Sequence, residues 1–239
     1  MCNKCGGFII TGNDPKKVLL RANGPSLPVS DRLADPILEL RDSSGQTIAI
    51  NDNWMEAPNS QEIIDSTIPP GNGLESAILM NLAPGAYTAT VRGINNGTGV
   101  AVIEAYDLDQ AVDSRLANIS TRGLVDTGDN VMIGGTIIRG TVPAKVLIRA
   151  IGPSLTNAGV ANALQDPTLE LRDGNGVLLA SNDNWRSDQE AEIIATALAP
   201  TNDLESAILR NLPPGGYTAV VRGKNDSTGV ALVEAYQLP

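Results

Sequence analysis

Histidine is absent from the 239 residues, and this absence excludes the most chemistry. Without imidazole there is no Ser-His-Asp or Cys-His nucleophile system, no usual zinc site, and no side chain that changes charge near neutral pH. Aromatic residues are almost as scarce, at 3% with a single Phe. Both cysteines, Cys2 and Cys5, sit in the opening "MCNKC". A redox CxxC would lead a helix after a strand, and a zinc site would need further Cys or His ligands. A tether, a local disulfide or a link between chains fits the pair better. Basic residues are outnumbered, 17 against 27 acidic, for a net charge of −10. That balance repels nucleic acid and anionic membrane surfaces. No apolar run is long enough to span a bilayer, and no charged-then-apolar leader is visible.

What is present is apolar aliphatic, at 42% hydrophobic residues, and dense in turns, with 24 Gly and 15 Pro. That composition suits many short strands. The chain also repeats itself. "KKVLLRANGPSL" from Lys16 returns as "AKVLIRAIGPSL" from Ala144, and "ADPILELRDSSG" from Ala34 returns as "QDPTLELRDGNG" from Gln165. "LESAILMNLAPGAYTATVRG" from Leu74 returns as "LESAILRNLPPGGYTAVVRG" from Leu204, and "TGVAVIEAY" from Thr98 returns as "TGVALVEAY" from Thr228. An offset of about 130 residues is the size of a small domain rather than a solenoid unit. The sequence therefore reads as module one over 1–109 with a short arm at 1–5, a connector at 110–133, and module two over 134–239.

Within a module, "KVLLRA", "ILELRD", "YTATVRG" and "VAVIEAY" alternate apolar residues between turn signals such as "GPSL", "DSSG", "APGA" and "NNGTG". Leu38 and Leu40 face one way, Glu39 and Arg41 the other. Seven or eight strands per module predict an all-β fold, two tandem antiparallel β-sandwiches of jelly-roll type. One or two short helices per module are expected. In "SDQEAEIIATALA", Ser187 and Glu190 have capping-box spacing ahead of a helical pattern, and "NAGVANALQ" offers a second candidate. The connector holds strand-like pieces and should pack, supplying an edge strand to one or both modules. Module one lacks such a piece before "CGGFII", and an unpaired edge is a template for another chain.

The order "LELRDGNGVLLASNDNW … LPPGGYTAVVRG … TGVALVEAY" resembles the pre-peptidase C-terminal β-sandwich modules of secreted bacterial proteins. "NISTRGLVDTGDNVMIGG" followed by "VLIRAIGPSL" is similar to tandem modules in large surface proteins of environmental bacteria. The resemblance implies an extracellular accessory domain and brings no catalytic residues.

Both tryptophans lie in one repeated element, "IAINDNWMEAP" from Ile48 and "LASNDNWRSDQ" from Leu179. Four readings compete: a metal loop, a carbohydrate platform, a carboxylate active site, or a turn with an aromatic plug over one end of the sandwich. Calcium takes about six to eight oxygens from carboxylates, amides and carbonyls. Asn51, Asp52 and Asn53 offer several, but without a D-x-D-x-D-G ladder a distant ligand must join, from Asp35, Asp42 or Glu75. The matching set is Asp166, Asp173, Asn182, Asp183, Asn184 and Glu205. The competing reading is an Asx-turn bonding its own backbone. Trp54 and Trp185 as sugar platforms would need further aromatics, because Tyr87, Tyr217, Tyr106 and Tyr236 fall within strands. Repeated Arg and Glu, among them Arg21/Arg149, Arg41/Arg172 and Glu104/Glu234, suggest cross-strand ion pairs on a solvated face. No acid is marked for catalysis. These readings favour a non-enzymatic extracellular structural or adhesive protein, a self-associating fibre or scaffold subunit with calcium as its one candidate cofactor. The alternative is a glycan- or matrix-binding accessory module.

Overall fold

The computed structural model describes residues 5–238. The chain divides into two compact units, Met1–Ala117 and Asn118–Pro239, and the strand ladders within each unit are antiparallel.

Unit one contains β1 (Cys5–Gly12), β2 (Lys16–Asn23), β3 (Pro36–Arg41), β4 (Thr47–Asn51), α1 (Ser60–Asp65), β5 (Ser76–Leu82), β6 (Gly85–Gly93) and β7 (Val102–Asp107). Strands β1-β6-β3-β4 are neighbours in one sheet, and β5-β2-β7 form another. Alternation explains the pairing of the two layers. Leu38 and Leu40 on β3 are fully buried with Val18 and Leu20 of β2, Ile78 of β5 and Phe8 of β1 in one cluster. Glu39 and Arg41 stay on the other face and pair with each other at 2.7 Å. That ion pair lies along one strand, as does Glu170–Arg172, rather than across two.

β8 (Ser114–Val125) begins in unit one. Unit two holds the rest of β8, then β9 (Met132–Ile138), β10 (Ala144–Ile151), β11 (Pro167–Asp173), β12 (Leu178–Asn182), α2 (Glu190–Ala195), β13 (Ser206–Leu212), β14 (Gly215–Gly223) and β15 (Gly229–Gln237). Its neighbours run β13-β10-β15-β8 and β12-β11-β14-β9. Register repeats between the units: Lys16 faces Leu82 on β2/β5, and Ala144 faces Leu212 on β10/β13. Residues 110–133, expected as a packed connector, supply β8 and the start of β9. From Asn118 to Val125, β8 pairs with Tyr236 back to Gly229 of β15.

The sheet β5-β2-β7 buries its second face too. Leu19, Ala77 and Leu79 pack there against Trp54 and Ile63 of the segment between β4 and β5. Leu147, Ala207 and Leu209 meet Trp185 and Ile193 in the same way in unit two. Each Trp thus plugs the outer face of a sheet rather than one end of the sandwich, and the short helix after it forms a third layer.

Two helix expectations are corrected. Ser187 does not cap α2. The N-cap is Gln189, held at φ +60°, and the Ser187 hydroxyl donates to the Asn184 carbonyl instead. Gln189 bonds the Leu209 backbone through both ends of its amide, and this tie to β13 sets where α2 begins. "NAGVANALQ" forms turns and an isolated bridge, Ala163 to Val230, after a 3-10 turn at Pro153–Thr156. The bridge spends backbone groups that a helix would need.

Candidate functional site

The repeated Asn-Asp-Asn-Trp turn sits inside a polar knot centred on Glu75. This side chain has no exposed surface. Its Oε1 accepts the Gly24 N–H at 3.0 Å, the Ser26 N–H at 2.9 Å and the Ser26 hydroxyl at 2.5 Å, and Oε2 accepts the Asn72 N–H at 3.0 Å. Burial pushes its pKa upward, but these donors prevail and hold it below the ordinary carboxylate range. Gly24 is required beside it, since a Cβ there would run into the Leu33 carbonyl. Glu205 repeats the pattern with Gly152, Ser154 and Asn202. "GPSL" and "LESA" therefore recur together because each is the other's hydrogen-bond partner.

The next residue closes the knot. Ser76 Oγ donates to the Pro36 carbonyl and to the Asp52 carbonyl, bringing the start of β3 against the turn after β4. Asn51 Oδ1 accepts the Ala77 N–H at 2.8 Å while its amide donates to the Asn53 carbonyl at 3.1 Å. Trp54 donates its indole N–H to the Asn72 carbonyl at 3.0 Å and is 5% exposed. Trp185 does the same to Asn202 at 3.1 Å and is 2% exposed. Neither ring offers a face on which a sugar could stack, so the platform reading loses both of its residues.

The candidate oxygen ligands now separate into two groups. Asp42 accepts the N–H groups of Ser44 and Gln46 in an Asx-turn, and Asp173 those of Asn175 and Val177. Asp42, Asn51 and Glu75 are thus occupied with their own backbone surroundings, as are Asp173, Asn182 and Glu205. In the other group, Oδ1 of Asp35, Asp52 and Asn53 is buried without a hydrogen-bond partner, and so is Oδ1 of Asp166, Asp183 and Asn184. Burial raises the Asp35 pKa, and the nearby Asp52 carboxylate adds to the rise. The Ile94 N–H donates to the Asp35 carbonyl at 3.0 Å, which places residue 94 beside this pair. Its counterpart is Lys224, whose N–H donates to the Asp166 carbonyl and whose ammonium lies 2.7 Å from Asp183 and 3.7 Å from Asp166. The Ile94/Lys224 difference escaped the sequence reading, which compared only positions where the same residue recurs. The signal was visible in "VRGINNGTG" against "VRGKNDSTG".

A second polar network lies on β2 and β7. Arg21 binds Glu104 through Nε at 2.9 Å and reaches the Ile68 carbonyl at 2.8 Å, tying the segment after α1 to the sheet. Arg149, Glu234 and Leu198 repeat it. Tyr236 beside them is pushed up to about 12, by burial first and by the Glu234 charge second. Every polar tip in this network that faces the guanidinium is paired, which is the arrangement of a clamp.

Cys5 is disulfide-bonded, and Cys2, the other cysteine of the sequence, lies outside the described residues. Among the described residues no group of three or more His, Cys, Asp or Glu is placed to hold a metal, so any ion must draw on amide and backbone oxygens as well. No helix of the described residues is long and apolar enough to cross a membrane.

No family model matches the chain, and no curated protein does either. Among solved structures, the crystal structure of the STIV MCP is 14% identical, with 97% of this chain and 92% of that chain covered, at a TM-score of 0.27. A Sulfolobus Turreted Icosahedral Virus structure is 11% identical, covering 97% and 86%, at 0.28. The PBCV-1 virus capsid is 10% identical, covering 98% and 89%, at 0.26. Shape agreement this low transfers neither topology nor role to this chain.

Proposed function

We propose that this protein is a non-enzymatic extracellular structural subunit that associates with copies of itself through the open edge of β7. The two units read as copies of one jelly-roll module. Unit two divides its eight strands between two sheets, crossing from one to the other at every connection except β11–β12, and unit one has the same order without a counterpart of β8. The observation that carries the proposal is the resulting edge. β15 has β10 on one side and β8 on the other, whereas β7 ends its sheet with β2 as its one neighbour among the described residues. Val102 at the start of β7 is 40% exposed; just before it Val100 is 45% exposed, and Ala101, whose counterpart Ala231 is fully buried in unit two, is only partly covered. A strand edge with uncovered apolar side chains is the surface that edge pairing uses.

A second copy is the fitting occupant because this chain carries other edges with exposed apolar residues, Ile133 and Ile137 on β9 and Leu178 on β12. Pairing β7 with a different edge is heterologous, and such contacts extend into filaments when they do not close into rings. The disulfide at Cys5 fits an oxidising compartment, as does the resemblance to secreted surface modules.

Sedimentation velocity and negative-stain microscopy across a concentration series test this reading. The expected result is reversible assembly that Val102→Lys abolishes, with Ile133→Lys or Leu178→Lys identifying the partner edge. A chain that stays monomeric at millimolar concentration, or that assembles equally well with Val102→Lys, overturns it.

A further inference from the structure

The open edge of β7 has a covered twin in the same chain, and the strand that covers the twin indicates what the edge can hold. Residues 99–106 read GVAVIEAY, and residues 229–236, within β15, read GVALVEAY. Their inner sides are bonded alike. Arg21 of β2 stands opposite Glu104 as Arg149 of β10 stands opposite Glu234. The Val100 N–H donates to the Asp31 carbonyl and its carbonyl accepts the Leu33 N–H, as Val230 does with Asn162 and Leu164. The two strands therefore present matching backbones to whatever lies on their other side, with side chains that differ only at 102/232 and 103/233.

On β15 that other side is filled by β8, which runs antiparallel from Asn118 opposite Tyr236 to Val125 opposite Gly229. Val125 is fully buried in one cluster with Ala231 and Val233. The Asn118 side chain is buried too, and its amide donates to the Ala235 carbonyl at 3.2 Å. The core-facing side of β7 shows what the missing strand would cover. Ala231 and Val233 are 0% and 4% exposed, whereas Ala101 and Ile103 are only partly buried.

We propose that β7 binds an extended segment with the chemistry of residues 118–125, presented by a partner chain, antiparallel and in the register that β8 takes on β15. Main-chain hydrogen bonds supply the affinity of such an added strand, and alternate side chains its specificity. In this register the valine matching Val125 covers Ala101 and Ile103, and the asparagine matching Asn118 reaches the Ala105 carbonyl. Arg122 stands opposite Leu232, so the matching arginine stands opposite Val102. The inference rests on the reading of β7 as an open edge and adds its control: a β8-type strand that fills β7 displaces copies of this chain from it.

The test is fluorescence anisotropy of a labelled synthetic peptide with the sequence of residues 116–126, titrated with the full chain. Saturable one-to-one binding is expected, and a scrambled peptide should not bind. Opposite charges directly across two strands attract and like charges repel, so Val102→Glu should bind the peptide about five-fold more tightly than Val102→Lys. Arg122→Glu in the peptide should reverse that order, an exchange that misfolding of a variant cannot imitate. Sedimentation velocity then shows whether saturating peptide dissolves assemblies of the chain. The inference is overturned if the peptide fails to bind at millimolar concentration, if the scrambled peptide binds as well, or if the charge exchange leaves the order unchanged. Peptide binding in this register to a chain that never assembles keeps the occupant and removes self-association. Assembly that Val102→Lys abolishes but the peptide leaves intact keeps self-association and removes the occupant.

Discussion

Unit one and unit two share the order of seven strands, much of their register and the glutamate knot, and three of their differences bear most on the readings above. Among the described residues β7 has β2 on one side and no strand on the other, whereas β15 has β10 on one side and β8 on the other. Unit one has Ile94 where unit two has Lys224, and it has an ion pair between the start of β2 and the end of β7 that unit two lacks at the matching positions. Lys16 is 1% exposed, 3.0 Å from Asp107, and donates to the Asp109 carbonyl at 2.5 Å. The matching positions in unit two are Ala144 and Gln237. The shared parts are those the fold requires. The differing parts sit at an edge, at a turn and at the end of a strand, where the same scaffold tolerates different chemistry.

Each unit holds a single buried Trp, so variants keeping only Trp54 or only Trp185 report the unfolding of one unit at a time. The largest expected effect should strike both equally. Glu75→Ala and Glu205→Ala each strand several buried donors, costing about 3 kcal/mol or more in urea unfolding of the unit concerned. A gap above about 1 kcal/mol between the two would show that the knots are not equivalent. A slightly smaller effect should be confined to unit one. Lys16→Ala leaves the Asp107 carboxylate with the Asp109 N–H but without its cation and should cost about 3 kcal/mol, part of which Asp107→Gln restores by recreating the unit-two pair. Failure of that double substitution to recover stability would show that the pair is coupled to something unit two lacks.

The smallest effect concerns pH. Because the folded Glu75 pKa lies below its ordinary 4.5, its contribution is fully present above that value and is lost as pH falls through the folded value. Asp35 acts with the opposite sign. Its folded pKa is raised above 3.8, so ionising it costs stability as pH rises through the shifted value. Glu75→Gln should therefore flatten the acid limb of unit-one unfolding, and Asp35→Asn should remove the opposing slope. An unchanged acid limb in Glu75→Gln would assign acid sensitivity to other groups.

The strands of both units and the pairing of "LELRD" were legible because alternation and turn residues are local signals. Leu38 and Leu40 fell inside and Glu39 outside as expected. What alternation does not encode is partnership at a distance. Ser187 and Glu190 have the right spacing for a cap, yet Gln189, anchored to a strand some 20 residues away, decides where the helix starts. The twelve candidate oxygen ligands looked alike in sequence because each is an Asp, Asn or Glu near a turn. Which of them are already hydrogen-bonded depends on residues such as Ser26 and Ala77, far along the chain from Glu75 and Asn51 and ordinary in themselves.

The Lys16–Asp107 pair also bears on how the repeated segments of one sequence stay different. Tandem copies are prone to recombine with each other, and exchange tends to make them identical again. A crossover falling between the codons for β2 and β7 would join Lys16 to a Gln237-type strand, burying an ammonium without its carboxylate partner. The reciprocal product would join an Asp107-type strand to an Ala144-type one. Both recombinants would fold poorly, so a two-residue difference of this kind works as a genetic fence that lets the halves of one chain diverge.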